Sequence, residues 1–211
     1  EAIFVSTYAI EETVAYAVEY VQRMGPIHGV IALAADVPQT VAAVMTALGL
    51  PGISVETARL TSDKFAMKLR FLETGIPIPW FAAVASARFP NCEELRTLVG
   101  PWDGVPLVLK PVDSRGARGV LRLTRGVDLA WAFAHSQSHS PTGRVMLEQW
   151  LEGPQISTET VLHDGWAETP GFIDRNYSRL DEFAPHIIED GGEQPSILSP
   201  ADQQAICDVA A

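Results

Sequence analysis

Basic residues, cysteines and long apolar runs are all scarce in this chain, and each scarcity removes a class of protein. The 211 residues carry 15 Lys and Arg against 26 Asp and Glu, a formal net charge of −11. Nucleic acid or an anionic membrane would reward a basic face, so neither is expected as a main partner. Only two cysteines are present, Cys92 and Cys207. They lie too far apart to form a metal-type pair, and so low a number points to a reducing, cytoplasmic setting rather than a disulfide framework. No apolar stretch reaches the length that spans a bilayer, and the N-terminus lacks a signal-peptide pattern. The chain starts on Glu1 and stops at Ala211 within a helical pattern, so both ends are expected to be cuts. The familiar phosphate-binding templates are missing too: there is no G-x-x-x-x-G-K-[ST], and no G-x-G-x-x-G after a strand.

What remains is a globular composition, 47% hydrophobic and 19% charged, long enough for one large or two small domains. The first part alternates. Ile3 to Ser6 is a β-leaning run, Glu11 to Met24 has helical spacing closed by Gly25-Pro26, Gly29 to Ala34 is a continuous apolar run, and Pro38 to Leu48 is again helical. Buried strands alternating with helices predict a small parallel sheet covered by helices. Asp36 then falls past a strand's carboxyl end, where such sheets bind ligands, although a plain helix N-terminal carboxylate accounts for it more simply. Thr57 to Thr74 follows as a helical segment, capped by Thr61, Ser62 or Asp63. Lys64 sits in the first turn of a helix, against the dipole, and is either solvated or held there for an anion. Gly75-Ile-Pro77-Ile-Pro79 stops that helix.

The organising stretch is Val105 to Gly119. An apolar run with Leu107, Val108 and Leu109 predicts a strand buried on both sides that delivers Lys110, and Pro111 is expected to end its ladder. A loop with Ser114, Arg115, Gly116, Arg118 and Gly119 leads into a second strand, where Leu121 and Leu123 face one way and Arg122 and Thr124 the other. A lysine and two arginines beside flexible glycines suit a polyphosphate. A solvated basic hairpin is the other reading of the same residues.

Around this centre, Trp80 to Ser86 predicts a strand, Cys92 to Val99 and Val127 to Ser136 helices, and Val145 to Trp150 another strand. Ile156 to Leu162 and Trp166 to Ile173 predict a hairpin turning at His163-Asp-Gly165. Glu189 to Gly192 is expected to be loop, and Pro200 onward helix. His135 and His139 have helical spacing for a shared metal, but no third ligand is local and the surroundings are Ser- and His-rich loop, so a metal role is rejected.

Taken together these motifs resemble the ATP-grasp superfamily, especially its biotin carboxylase and carbamoyl-phosphate synthetase-like branch. Asp63-Lys64 with Gly75-Ile-Pro77 is similar to the helix that enters the ATP-grasp domain. Pro106 to Pro111 with Ser114 to Gly119 is similar to the lysine strand and phosphate loop. Glu148-Gln149-Trp150-Leu151 resembles the hinge strand, and Gly153 to Glu159 the start of the next subdomain. The resemblance implies an α/β and α+β architecture: the end of a parallel-sheet domain over 1–60, a linking helix at 61–79, an antiparallel lid subdomain at 80–148 and the start of a C-terminal subdomain at 149–211. It implies that Lys64 and Lys110 contact phosphates, that Ser114 to Gly119 fold over them, that Glu148 accepts from the adenine amino group, and that the backbone of Gln149, Trp150 and Leu151 reads the adenine edge. The usual ribose-binding Glu is Gln155 here, which accepts without charge assistance. Arg175 and Asn176 fall on the substrate side, with no catalytic residue assigned.

The implied chemistry is ATP-dependent activation of a small carboxylate as an acyl phosphate, captured by an amine or similar nucleophile, with Mg²⁺ as companion. The acidic Mg²⁺ ligands of the family are not found before Ala211, so no metal ligand is expected in this chain and the fragment alone is expected to be inactive. A homodimer is one assembly open to it. A nucleotide-binding module without chemistry, and an interaction domain without ligand, are the competing classes.

Overall fold

The computed structural model of the chain describes residues 4–33, 35–84, 92–102 and 104–211. Two compact units emerge, Glu1–Gly75 and Ile76–Ala211. The regular structure in its described residues is helical: α1 (Ile10–Met24), α2 (Pro38–Ala47), α3 (Val55–Ser62) and α4 (Lys64–Thr74). In α1, Glu11 and Glu12 in the first turn and Arg23 in the last complement the dipole. The predicted helix over Thr57 to Thr74 is in fact two. Asp63 ends α3 in an extended conformation and caps α4, accepting from the N–H groups of Phe65 (3.1 Å) and Ala66 (3.0 Å). Gly75, left-handed at φ 76°, closes α4. In the core of this unit Val37, Ala42 and Val44 meet Ala58, and the Thr40 hydroxyl donates to the Thr7 carbonyl at 2.7 Å.

Among the described residues the parallel sheet predicted for this part does not form. Phe4 to Ser6 and Gly29 to Leu33 carry no strand pairing, and Phe4 (97%), Ile31 (79%) and Leu33 (77%) are exposed. An apolar run becomes a strand only where a neighbouring backbone takes up its hydrogen bonds, and none is described beside either run. The ends of those predictions at Ile3 and Ala34, like the Ala85–Ser86 end of the strand from Trp80, lie outside the described residues. Val37, not Asp36, occupies the N-cap of α2.

The second unit holds two antiparallel sheets. One is four-stranded, in the order β1 (Phe81–Val84), β4 (Val145–Gln149), β2 (Leu107–Pro111), β3 (Leu121–Leu123). The other contains β5 (Gln155–His163), β6 (Trp166–Asn176) and β7 (Gly191–Glu193) in sequence order. Helices α5 (Cys92–Val99) and α6 (Leu129–Ser138) complete the first sheet's layer, and α7 (Pro200–Ala210) follows the second sheet. Val84, Leu107, Leu109, Leu121, Leu123, Val145 and Leu147 form one apolar face that packs with Ala132 and Phe133 of α6. Each such side chain contributes about 1.5–3 kcal/mol on burial, so this layer fixes the sheet's register.

Three details depart from expectation. Burial along β2 alternates instead of covering both faces, because only one face meets the core. Pro111 stays within the ladder, opposite Val145, and Val112 continues the contact by donating to the Arg144 carbonyl at 3.1 Å. Its missing N–H would point to the β3 side, where that ladder has already ended, so nothing is lost. Finally, β7 forms in the predicted Glu189 to Gly192 loop: two glycines look like a turn, but a Cβ on Gly192 would lie 3.0 Å from Ile173, and only glycine lets this edge come so close to β6. Among the described residues no helix is long and apolar enough to cross a membrane.

Candidate functional site

The functional face of the four-stranded sheet follows from its register. Lys110 and Val108 share a face, Val108 lies opposite both Glu148 and Arg122, and all of them point away from the leucine layer. The Lys110 ammonium pairs with the Glu148 carboxylate, and the two side chains are 17% and 7% exposed. Lysine and glutamate seldom tolerate such burial singly, and removing either would strand a charge at a cost of about 3–5 kcal/mol. An ammonium carries three donors and a carboxylate about four acceptor positions, so each group is able to serve more than one partner.

Beside this pair lies the glycine loop, pinned at both roots to the C-terminal turn of α6. Asp113 accepts from Ser140 Oγ (2.5 Å), Thr142 Oγ1 (2.5 Å) and Thr142 N–H (3.2 Å), and Ser136 Oγ donates to the Gly119 carbonyl at 2.6 Å. Ser114 and Arg115 are partly buried near one root, whereas Gly116, Ala117 and Arg118 form an exposed crown. Left-handed backbone at Gly116 (φ 61°), Ala117 (φ 55°) and Gly119 (φ 75°) curls the crown. At Gly119 a side chain has no room: a Cβ would lie 2.9 Å from both His139 and Pro111. The loop thus has fixed roots and an exposed crown, within which the Arg118 N–H donates to the Arg115 carbonyl at 3.4 Å.

The segment after Glu148 is held tightly. Gln149 N–H donates to the Trp80 carbonyl (2.9 Å) and Trp150 N–H to the Pro106 carbonyl (3.3 Å). Two N–H groups of the segment expected to read the adenine edge are thus engaged within the protein. Gln155 opens β5 opposite Arg175. Arg175 pairs with Glu189 and donates to Ser157 Oγ at 3.2 Å, and Asn176 donates to Glu193 at 3.3 Å. Arg175 and Asn176 line an open cleft of about 690 Å³ with Tyr177, Ser178, Arg179, Asp190 and Glu193. Lys64 begins α4 in the other unit, capped from Asp63.

Two residues with no assigned role in the sequence reading belong here. Burial, then the Glu189 carboxylate, push the Tyr177 phenol above the usual value near 10.0, and the nearby Arg175 and Gln155 side chains oppose that rise. Arg122 lies on the Lys110 face. Its alternation with Leu121 and Leu123 was the available signal, whereas nothing in the local pattern marks Tyr177. The rejected histidine pair does come together: the rings of His135 and His139 lie 4.9 Å apart, and His186 lies 5.4 Å from His135. Among the described residues no group of three His, Cys, Asp or Glu is placed to hold a metal.

No family model matches the chain. A D-alanine–D-alanine ligase of Marinobacter nauticus is 28% identical over 167 residues, which cover 78% of this chain and 48% of the relative. The chain therefore spans about half the length of the curated relatives it matches. Among solved structures, an L-amino acid ligase from Bacillus licheniformis superposes with a TM-score of 0.68 at 19% identity, over 93% of this chain and 43% of that one. The VanG D-Ala:D-Ser ligase of Enterococcus faecalis gives 0.68 at 17% identity, over 82% and 50%.

Proposed function

We propose that this chain, which has the ATP-grasp fold over the part it spans, is the nucleotide-binding portion of an ATP-dependent ligase that joins a carboxylate to an amine. The observation that carries the reading is the Lys110–Glu148 pair on the open face of an antiparallel sheet, beside a glycine loop anchored at both roots. In this reading Lys110 neutralises phosphate oxygens, and the crown from Ser114 through Arg115, Gly116 and Arg118 to Gly119 covers them with backbone N–H groups. Glu148 accepts from the adenine amino group, and the backbone of Leu151, at the end of the Gln149–Trp150 hinge, meets the base edge. Gln155, at the start of β5 opposite Arg175, takes a ribose hydroxyl. Lys64 is assigned to the phosphates by resemblance. An apolar slot with one carboxylate selects the base, while the charge is met elsewhere.

A substrate carboxylate oxygen attacks the γ-phosphorus, the bond to the β-phosphate oxygen breaks, and ADP leaves. The amine then attacks the acyl carbon and releases phosphate. The cleft at Arg175 and Asn176 presents both signs of charge, from Arg179 on one side and Asp190 and Glu193 on the other, which suits a zwitterion. Together with the amino acid ligases among the relatives, this makes amino acids the substrates of choice. Mg²⁺ accompanies the triphosphate in such chemistry and would draw its ligands from elsewhere in the protein. The cysteine content favours a cytoplasmic site of action, and a homodimer is compatible with the fold.

The test uses the full-length protein. Phosphate release from Mg-ATP is expected only when a suitable amino acid is added, and Lys110→Ala should weaken ATP by more than about tenfold. Binding without turnover across a broad panel would instead assign a nucleotide-binding module. Unchanged ATP affinity in Lys110→Ala would overturn the site itself.

A further inference from the structure

Arg122 is the residue on the Lys110 face to which the resemblance assigns nothing. It sits on β3, the outer strand of the sheet, with its side chain only 16% exposed. Its guanidinium lies 5.5 Å from the Trp150 ring centre, and therefore on the side chain of the hinge that follows Glu148. It also pairs with Asp181, which belongs to the strap formed by residues 177–190 between β6 and β7. The strap's backbone reaches the same strand: Arg122 N–H donates to the Pro185 carbonyl at 2.7 Å, and His186 bridges to Leu121. One side chain thus connects sheet face, hinge and strap.

Magnitudes separate this from a simple stability role. Asp181 is 92% exposed, and an ion pair with one partner in water contributes about 0–1 kcal/mol to folding. The stacking on Trp150 is the stronger contact, because a half-buried cation over indole gains about 1–2 kcal/mol. The Arg122 Nε is buried and makes no hydrogen bond, so the arginine is placed by these two neighbours and not by a closed network. A contact too weak to matter for the fold still fixes where the hinge and the strap stand.

We propose that Arg122 is a positioning residue of the nucleotide site, holding Trp150 and the strap at a set spacing over the Lys110–Glu148 face. This rests on the nucleotide reading above. The spacing is the same for ground state and transition state, so its loss should raise the KM for ATP and leave kcat nearly unchanged.

The test is Mg-ATP affinity by calorimetry and steady-state kinetics on the full-length protein. Arg122→Ala is expected to weaken ATP about tenfold, and Trp150→Ala in that background to add little, because the two act as one contact. Arg122→Lys should recover part of the loss. Should Arg122→Ala fail to fold, Asp181→Asn decides, since an exposed strap residue leaves the core intact; it should weaken ATP about threefold with kcat preserved. ATP affinity within error of the parent in Asp181→Asn, or a fall in kcat with KM unchanged in either variant, overturns the proposal. With Lys110→Ala as reference, a loss there but not at residues 122 and 181 rejects only Arg122. No loss at any of the three rejects the nucleotide reading as well.

Discussion

At Gly119 two requirements coincide on one residue. The backbone is left-handed at φ 75°, and a Cβ would press on His139 and Pro111 at 2.9 Å. Gly116 shares the first requirement, φ 61°, but meets only the tip of the Arg118 side chain at 3.9 Å. Gly119→Ala should therefore cost about 2–4 kcal/mol and Gly116→Ala about 1 kcal/mol by urea denaturation. Equal costs would mean that the packing of α6 on the loop root has been misjudged. Single residues were also where the sequence was most and least informative. Lys110, Glu148 and the glycine loop were legible because each has an unusual neighbour: a cation ending an apolar run, a carboxylate inside one, glycines between arginines. Arg122 was less so, since a polar residue alternating in a short strand has the pattern of an ordinary solvent face until a second element is laid over it, and Tyr177, just past the end of β6, carries no local pattern at all.

Among the elements, α6 and the strap depend on one another through aromatic rings. Trp131 stacks on His135 at 5.1 Å and meets His186 edge-on at 5.9 Å. Burial first, then the imidazoles of His139 and His186, hold His135 below its usual value of 6.5. A histidine depressed in the folded state binds fewer protons there than when unfolded, so stability rises with pH across the window below 6.5 and falls on acidification. Protection of the Arg122 and His186 amides, corrected for the intrinsic exchange rate at each pH, should fall as pH drops below 6.5, and His135→Asn should flatten that dependence. An unaltered pH profile in the variant would place the sensitivity elsewhere. Element type was readable wherever a cap and a periodic face agreed, as in α1, α6 and α7. It was misread at Phe4 to Ser6 and Gly29 to Leu33, because an apolar run states that a segment wants burial and is silent on what would pair with it.

For the molecule as a whole, a ligand that binds only the folded state raises its stability by mass action. Mg-ATP at a hundred times its dissociation constant should contribute about 2.7 kcal/mol and raise the melting temperature of the full-length protein, whereas Lys110→Ala at the same nucleotide concentration should keep less than about half of that stabilisation. A full-sized shift in the variant would separate ATP from this face. The net charge of −11 adds a requirement to the proposed reading, since a triphosphate approaching an acidic surface would need a local positive field, for which Arg115 and Arg118 at the loop are the candidates. The backbone contacts of Pro185 and His186 with β3 have one more result. They occupy hydrogen-bonding groups on a bare sheet margin that another polypeptide would otherwise use as a template. Variants or acidic conditions that release residues 184–186 should drive the protein toward β-rich aggregates, so the turn of chain that lies along β3 also guards solubility.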